Sequence, residues 1–314
     1  TAPPMKAVEK RATLVETMVP KIRTDQAIIT GFGTVEAHRR LSLQPQVGGK
    51  VTNINSAMVM GGLVSERSML IQIEPEDYEL AVQQRMADVT NAEVALQIAE
   101  ASQLVAEREW KLLGETIEST DIGKQLARKE PQRLEAEAML TAALGRLQLA
   151  TLDLQRTTVI APFNALVLDD SIEIGQVITP NSPVATLVGT DEFEVIASIP
   201  IAKLDWITVD PLNPDSNSTA TVTLELGDGR SLVRTARVSR LSGEVERSGR
   251  LAKVILLIED PLNLEREPER GMLLLGSYVK VEIEGPEITE VAELPRSVIH
   301  EDDTVWVMDT RDEL

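Results

Sequence analysis

The sequence predicts a mixed, mainly β protein carrying one long α-helical coiled-coil hairpin. Three observations predict it. Two stretches of β-type sequence, residues 44–78 and 157–191, share one rhythm. Between them the hydrophobic spacing changes from strand-like to a 3-4 helical repeat. After them come short β-branched runs at near-regular intervals, the pattern of a small barrel.

Residues 1–40 hold a β-like segment at 13–19, then Ala27-Ile28-Ile29-Thr30-Gly31-Phe32-Gly33-Thr34-Val35. β-Branched residues with Gly read as strand and bend. The doublet follows. Val47-Gly48-Gly49-Lys50-Val51, Gly62-Leu63-Val64 and Leu70-Ile71 answer to Ala161-Pro162-Phe163-Asn164-Ala165-Leu166-Val167, Gly175-Gln176-Val177 and Val184-Ala185-Thr186-Leu187. Neither half is long enough to bury a core alone, so the two are expected to fold together as one β-sandwich. The residues between them must leave that sandwich and return to it.

From Glu76 the residues Val89, Ala92, Leu96, Ala99, Ala106, Trp110 and Leu113 mark one helical seam. A second stripe, Val94, Ile98, Ala101, Val105 and Leu112, runs beside it. No Pro or Gly interrupts residues 76–113, which gives a helix about 57 Å long at ~1.5 Å per residue. Gly114 suits its C-cap. Ser119 or Thr120 can N-cap a returning helix with a seam of Leu126, Leu140, Leu144, Leu147 and Leu154, ending near Arg156. Pro131 lies inside it and predicts a kink over residues 127–131. Glu, Gln, Arg and Lys fill the remaining positions, so these helices have wet faces, unlike a buried αα-hairpin.

The all-β region comprises residues 194–200, a helical turn or two at 201–207, a polar Pro-containing loop at 210–218, and strands near 219–226, 232–241, 253–258 and 278–283. Residues 291–299 and 305–308 close the sequence pattern.

At 314 residues, two or more domains are expected. Hydrophobic residues make up 43% but aromatics only 3%, so the cores are built from Val, Ile, Leu and Ala. The net charge of −19 argues against nucleic-acid binding, which needs a basic footprint. The absence of Cys excludes disulfides and thiolate metal sites. No apolar run approaches the ~20 residues of a membrane-spanning helix. Thr1-Ala2-Pro3-Pro4 reads as a processed or engineered start.

The doublet resembles the split biotinyl/lipoyl-like motif of HlyD-type membrane fusion proteins, the periplasmic adaptor subunits of tripartite efflux pumps. Asp260-Pro261, Gly271-Met272 and Gly276-Ser277-Tyr278-Val279-Lys280-Val281-Glu282-Ile283 are similar to the closing signature of the adaptor β-barrel, with Leu275 where that signature usually has Pro. The resemblance implies an elongated adaptor of four modules. These are a membrane-proximal β domain (1–34 plus 288–314, incomplete at its C-terminal end), a β-barrel (35–43 plus 190–287), a lipoyl-like sandwich (44–75 plus 157–189) and an α-hairpin (76–156). It also implies a location in the periplasm with an inner-membrane anchor outside this chain.

The most specific short motif is at the hairpin tip. Arg108, Leu112 and Ser119 reproduce the spacing R-x3-L-x6-S, which is similar to the motif by which pump adaptors meet a TolC-like outer-membrane channel. An Arg fork, an apolar knob and a hydroxyl suit tip-to-tip binding to another coiled coil. Lys111, Lys124, Arg128 and Lys129 make this end locally basic. The partners the resemblance implies are an inner-membrane resistance-nodulation-division (RND) transporter, a TolC-like channel, and further copies of the chain in a ring, commonly a hexamer. An ABC-type exporter is the runner-up partner; the alternatives from different classes are a carrier domain fused to a coiled coil, against which the missing carrier Lys argues, and a coiled-coil scaffold outside efflux.

Other motifs are absorbed by structure. Ala57-Met58-Val59-Met60 echoes the Ala-Met-Lys-Met of biotin carriers, but Val59 occupies the Lys slot and offers no amine. No cofactor is expected. His38 and His300 stand far apart, and Met5, Met18 and Met58 form no close cluster, so no metal site is expected. There is no nucleophile elbow, phosphate-binding Gly loop or HExxH, and an enzyme is not expected.

Overall fold

The computed structural model describes residues 17–113, 120–227, 229–246, 250–264, 271–300 and 304–307. The chain divides into two compact units. One comprises residues 1–34, 195–257 and 277–314, the other residues 35–194 and 258–276.

The first unit is built on a closed barrel. Its strands, in spatial order, are β1 (Ile22–Ala37), β10 (Glu192–Pro200), β13 (Leu251–Glu259), β12 (Ser231–Glu246), β11 (Thr219–Glu225) and β14 (Tyr278–Ala292). Strict alternation builds the wall. Ala27, Ile29 and Val35 of β1 and Val279, Val281 and Ile283 of β14 are buried, while Thr30, Lys280 and Glu282 point outward. β1 pairs with β14 antiparallel from Ile22↔Ala292 to Thr34↔Tyr278. Residues 22–34, read from sequence as part of a separate membrane-proximal segment, therefore form a barrel strand over that length. Their inward Ala and Ile match the inward residues of β14, and strand pairing at such sequence distance leaves no local signal. Of the segment expected at 13–19, residues 17–19 form no strand and 13–16 lie outside the described residues. The turn expected near 201–207 is a 3-10 helix, Ile201–Trp206.

The sandwich lies in the second unit. One sheet has the order β2 (Arg40–Leu43), β9 (Ala185–Gly189), β7 (Ala165–Asp170), β4 (Leu63–Val64). The other has the order β6 (Thr158–Ile160), β5 (Met69–Ile73), β3 (Gly49–Ile54), β8 (Val177–Ile178). Each sheet takes strands from both halves of the doublet, so neither half closes a core without the other. Val51, Leu70, Ile71 and Ile73 from the first half pack with Ala165, Val167, Ile178 and Leu187 from the second.

The halves are related position by position at an offset of 114 residues. Gly61 and Gly175 both take positive φ, +80° and +90°, and Arg67 and Asn181 do so at 61° and 66°. Met58 and Ile172 are both buried. The turns repeat as well: Gly62 N donates to Val59 O as Gln176 N does to Glu173 O, and Ser68 N donates to Ser65 O as Ser182 N does to Thr179 O. Gly61 is thus the counterpart of Gly175, one residue earlier than the sequence rhythm suggests, because both turns need a left-handed residue at that place.

The hairpin leaves the sandwich as α1 (Glu76–Leu113) and returns as α2 (Asp121–Ala127) and α3 (Glu130–Gln155). Its two roots are tied together. Ile73 N donates to Thr157 O at 2.8 Å, and the buried Thr157 hydroxyl donates to Leu154 O at 2.7 Å. Tyr78 of α1 donates its hydroxyl to Gly48 O at 2.7 Å, which pins the base of α1 to the sandwich. α1 has the bounds the sequence predicts, and its first turn carries Glu76, Asp77 and Glu79, the sign that a helix N-terminus favours. The return arm breaks where Pro131 predicts. Lys129 adopts φ 55°, ψ 26°, and α3 restarts with Pro131 in its first turn, where its missing N–H costs nothing. The proline ring clashes with the carbonyl four residues upstream, at Ala127, so one helix cannot run through and the break falls at Arg128 and Lys129.

Candidate functional site

The candidate site is the outer end of the hairpin, together with the faces that the two arms turn away from each other. Arg108 and Leu112 lie in the last turns of α1. Four residues apart, they share one face. Leu112 is 86% exposed, an apolar side chain that contributes nothing to a core. Ser119, the third residue of the motif, lies outside the described residues, as does Gly114. Thr120 caps α2: its hydroxyl accepts from Gly123 N at 3.3 Å, with backbone φ −67°, ψ 157°. The hydroxyl cap expected from Ser119 or Thr120 is therefore supplied by Thr120.

The basic residues expected near the tip fall on three elements. Lys111 closes α1, Lys124 lies in α2 at 3.6 Å from Asp121, and Arg128 and Lys129 occupy the break before α3. Asp121 is almost fully exposed, so that ion pair is weak. The break sets the cationic pair Arg128 and Lys129 on its own short joint rather than on a continuous helix.

Along the arms, the seam of α1 is as predicted from Val89 to Trp110, and the side chain of Leu113 lies outside those described. Val89 and Ala106 are buried, and Ala92, Leu96, Ala99 and Trp110 are half-buried. The α3 seam differs from the expectation. Leu140, Leu147 and Leu154 face inward, but Leu126 and Leu144 are exposed, and the buried positions are Ala136 and Ala143. Leu and Ala alternate at 136, 140, 143, 147, 150 and 154, a 4-3-4-3-4 spacing, so small residues let the helices approach between the leucines. An alanine weighs little in a hydrophobicity pattern, so the pattern favours Leu144 over the buried Ala143 beside it.

The second α1 stripe is solvent-facing. Val94, Ile98, Ala101, Val105 and Leu112 are all exposed, and Leu134, Leu149 and Leu152 are exposed on α3. Each arm thus has one apolar stripe turned to its partner arm and another turned away from it.

The histidines serve local roles. His38 Nδ1 lies 2.7 Å from Glu194 Oε1, and its Nε2 lies 3.6 Å from Glu192 Oε2. His300 stacks on Trp306 at 4.4 Å between ring centroids. Among the described residues, no group of three or more His, Asp or Glu is placed to hold a metal ion. Val59 is exposed in the turn before Gly62, while Met58 beside it is buried in the sandwich core.

No protein-family model matches the chain. Among curated proteins, it is 24% identical over 284 residues to the nodulation protein NolF of Rhizobium meliloti, covering 88% of this chain and 69% of that protein. It is 24% identical over 228 residues to the multidrug resistance protein MdtA of Yersinia enterocolitica, covering 72% of this chain and 47% of that protein. The chain therefore spans about half the length of the second relative. Among solved structures, it superposes on a MacA-MexA chimeric protein that contains the Pseudomonas aeruginosa MexA α-hairpin domain. The TM-score is 0.60 at 15% identity, covering 94% of this chain and 95% of that one. At that identity, the likeness is one of fold.

Proposed function

We propose, for a chain that is an HlyD-type membrane fusion protein in sequence likeness and fold, that it serves as the periplasmic adaptor of an RND efflux pump. In this role it couples an inner-membrane transporter to a TolC-like outer-membrane channel, with Arg108, Leu112 and Ser119 meeting the channel. Copies stand side by side in a ring, and their hairpins make the wall of a conduit. Terminal residues outside the barrel belong to the membrane-proximal module. Among the described residues, no helix is long and apolar enough to cross a membrane. An anchored adaptor of this kind would be held by a segment outside them.

One observation carries this reading: a two-helix arm inserted between the halves of a sandwich ends in a leucine that is 86% exposed. An isolated hairpin gains nothing from that side chain, whereas an apolar knob beside an Arg suits the end of another helical bundle. The name of the Yersinia relative supports export of drugs as the cargo class, and the structural likeness to a protein bearing the MexA hairpin supports the fold of the arm.

A drug- and metal-susceptibility panel tests the reading. A strain lacking the gene is complemented with the wild type or with Arg108→Asp. Hypersensitivity rescued by the wild type alone supports the adaptor role and the tip together. Rescue by both removes the tip assignment. No phenotype in the deletion strain moves the reading to a scaffold outside efflux.

A further inference from the structure

A groove at the root of the hairpin carries charge in a pattern that the chain itself does not use. The bond from Ile73 N to Thr157 O fixes the level of the two arms. Counting outward from it, four residues reach Asp77 on α1 and Asp153 on α3, and eight reach Ala81 and Leu149. Eleven or twelve reach Arg85 and Arg146. All six residues line one groove of about 400 Å³, together with Ala150 and with Tyr78, which its bond to Gly48 O holds in place.

Like charge therefore stands level with like charge at both ends, Asp77 with Asp153 near the sandwich and Arg85 with Arg146 further out. Like charges set close together repel, and a hairpin arranged for its own stability would set Asp against Arg. Neighbours relieve only half of the pattern. Arg85 pairs with Asp88 at 3.0 Å and Asp153 with Arg156 at 2.9 Å, while Asp77 and Arg146 pair with none of the described residues. The first turn of α1 favours the sign of Asp77. The last turn of α3 disfavours that of Asp153, and nothing within the chain answers the charge of Arg146.

We propose that this groove binds a small zwitterion whose acidic group lies between Arg85 and Arg146 and whose basic group lies between Asp77 and Asp153. The charged ends are about 12 Å apart along α1 and about 10 Å along α3. Ala81, Leu149 and Ala150 lie between them and suit an apolar body of that length. The groove has the volume of a small-molecule site, for which about 300–1,000 Å³ is usual. Each end of the ligand supplies the counter-charge that the chain omits. A fatty acid leaves the Asp pair unmatched, and a simple amine leaves the Arg pair unmatched. A zwitterionic lipid head group carries both charges too close together to span the groove. The site is separate from the tip, and its test does not depend on the adaptor reading.

Ligand-observed NMR titration of the full chain tests the proposal, with ω-aminooctanoic acid as the probe. ω-Aminohexanoic acid shortens the span, and octanoic acid and octylamine each remove one charge. The probe is expected to bind at least about threefold more tightly than any of these, with an affinity that falls as salt is added. Arg146→Glu sets opposite charges level at the outer end of the groove. It is expected to weaken probe binding by about tenfold without lowering Tm, whereas Arg146→Lys keeps most of the affinity. Octanoic acid bound as tightly as the probe would overturn the proposal, because the apolar floor alone would then account for binding. Equal affinity in Arg146→Glu would overturn it as well, and so would a probe that shows no saturable binding. Loss in Arg146→Lys as complete as in Arg146→Glu also overturns it, since the position rather than its charge would then matter.

Discussion

The sandwich and the hairpin use the same apolar residue types to opposite ends. In the sandwich, sixteen apolar residues are buried in one core, several of them completely. In the hairpin, four apolar residues are buried among those described: Val89, Ala106, Ala136 and Ala143. Two sheets can cover each other's inner faces fully, whereas a two-stranded coil covers one stripe per helix and no more. The sandwich is thus complete by itself. Among the described residues the hairpin leaves apolar stripes uncovered, and contiguous exposed apolar surface of this kind marks a site of association.

The sharpest way to break this contrast is to cut a core residue in the sandwich. Ile71 is fully buried on β5, and Ile71→Ala should destabilise by about 2–5 kcal/mol through lost burial and the cavity left behind. Urea denaturation followed by circular dichroism checks it. A loss below ~1 kcal/mol would mean that the sandwich is not the closed core described here.

Next in size are the turns. Gly62 and Gln176 occupy equivalent turns 114 residues apart, yet only one of them tolerates a side chain. A Cβ at Gly62 would lie 2.0 Å from the carbonyl oxygen of Ala57, so the backbone must move. Gly62→Ala should cost about 1–3 kcal/mol. Gly175, with φ +90° and open space around its Cβ position, presents strain without a clash, and Gly175→Ala should cost about 1–2 kcal/mol. Thermal melts of the two variants test both, and a Gly62→Ala melt equal to that of the wild type would contradict the clash with Ala57.

Legibility from sequence follows the same division. The bounds of α1 and the break before Pro131 were readable because each depends on neighbours in the chain: an unbroken heptad pattern in one case, a proline ring in the other. The doublet was readable as two half-sandwiches, although its alignment was one residue out at Gly61, since the sequence has adjacent glycines there and only backbone φ tells them apart. The pairing of β1 with β14 was not readable, because it joins residues far apart in the chain. The α3 seam was half readable: leucines occur on several sides of that helix, and the alanines that set the closest approach carry little weight. At the tip, the spacing of Arg108 and Leu112 singles out a face that the structure leaves exposed. What that face meets is a property of a second surface, and no reading of one chain contains it.

On the hairpin the expected changes in stability are small, and the contrast is sharpened by their smallness. Ile98 is 62% exposed, so Ile98→Asp should shift the unfolding free energy by no more than about 0.5 kcal/mol. The same change puts a carboxylate on the outward stripe of α1, where copies standing side by side in the proposed ring would meet. Sedimentation of that variant should show loss of association at an unchanged Tm. A drop in Tm without loss of association would place Ile98 in the fold rather than in an interface.

The smallest effect on the fold is expected at Leu112, and the argument for the tip rests there. With 86% of its surface exposed, Leu112 makes almost no contact that unfolding could break, so Leu112→Asp should melt as the wild type does. If the knob enters an apolar socket on a channel, its replacement strands a charge in that socket and efflux should fail at normal expression. Leu112→Ala separates the two elements of that failure: it removes the knob without adding a charge, and should reduce efflux less than Asp does. Full efflux by Leu112→Asp would detach the motif from docking, whatever the rest of the hairpin does. Failure of Leu112→Asp with a wild-type melt would place the function of this residue outside its own chain, where the exposed leucine already points.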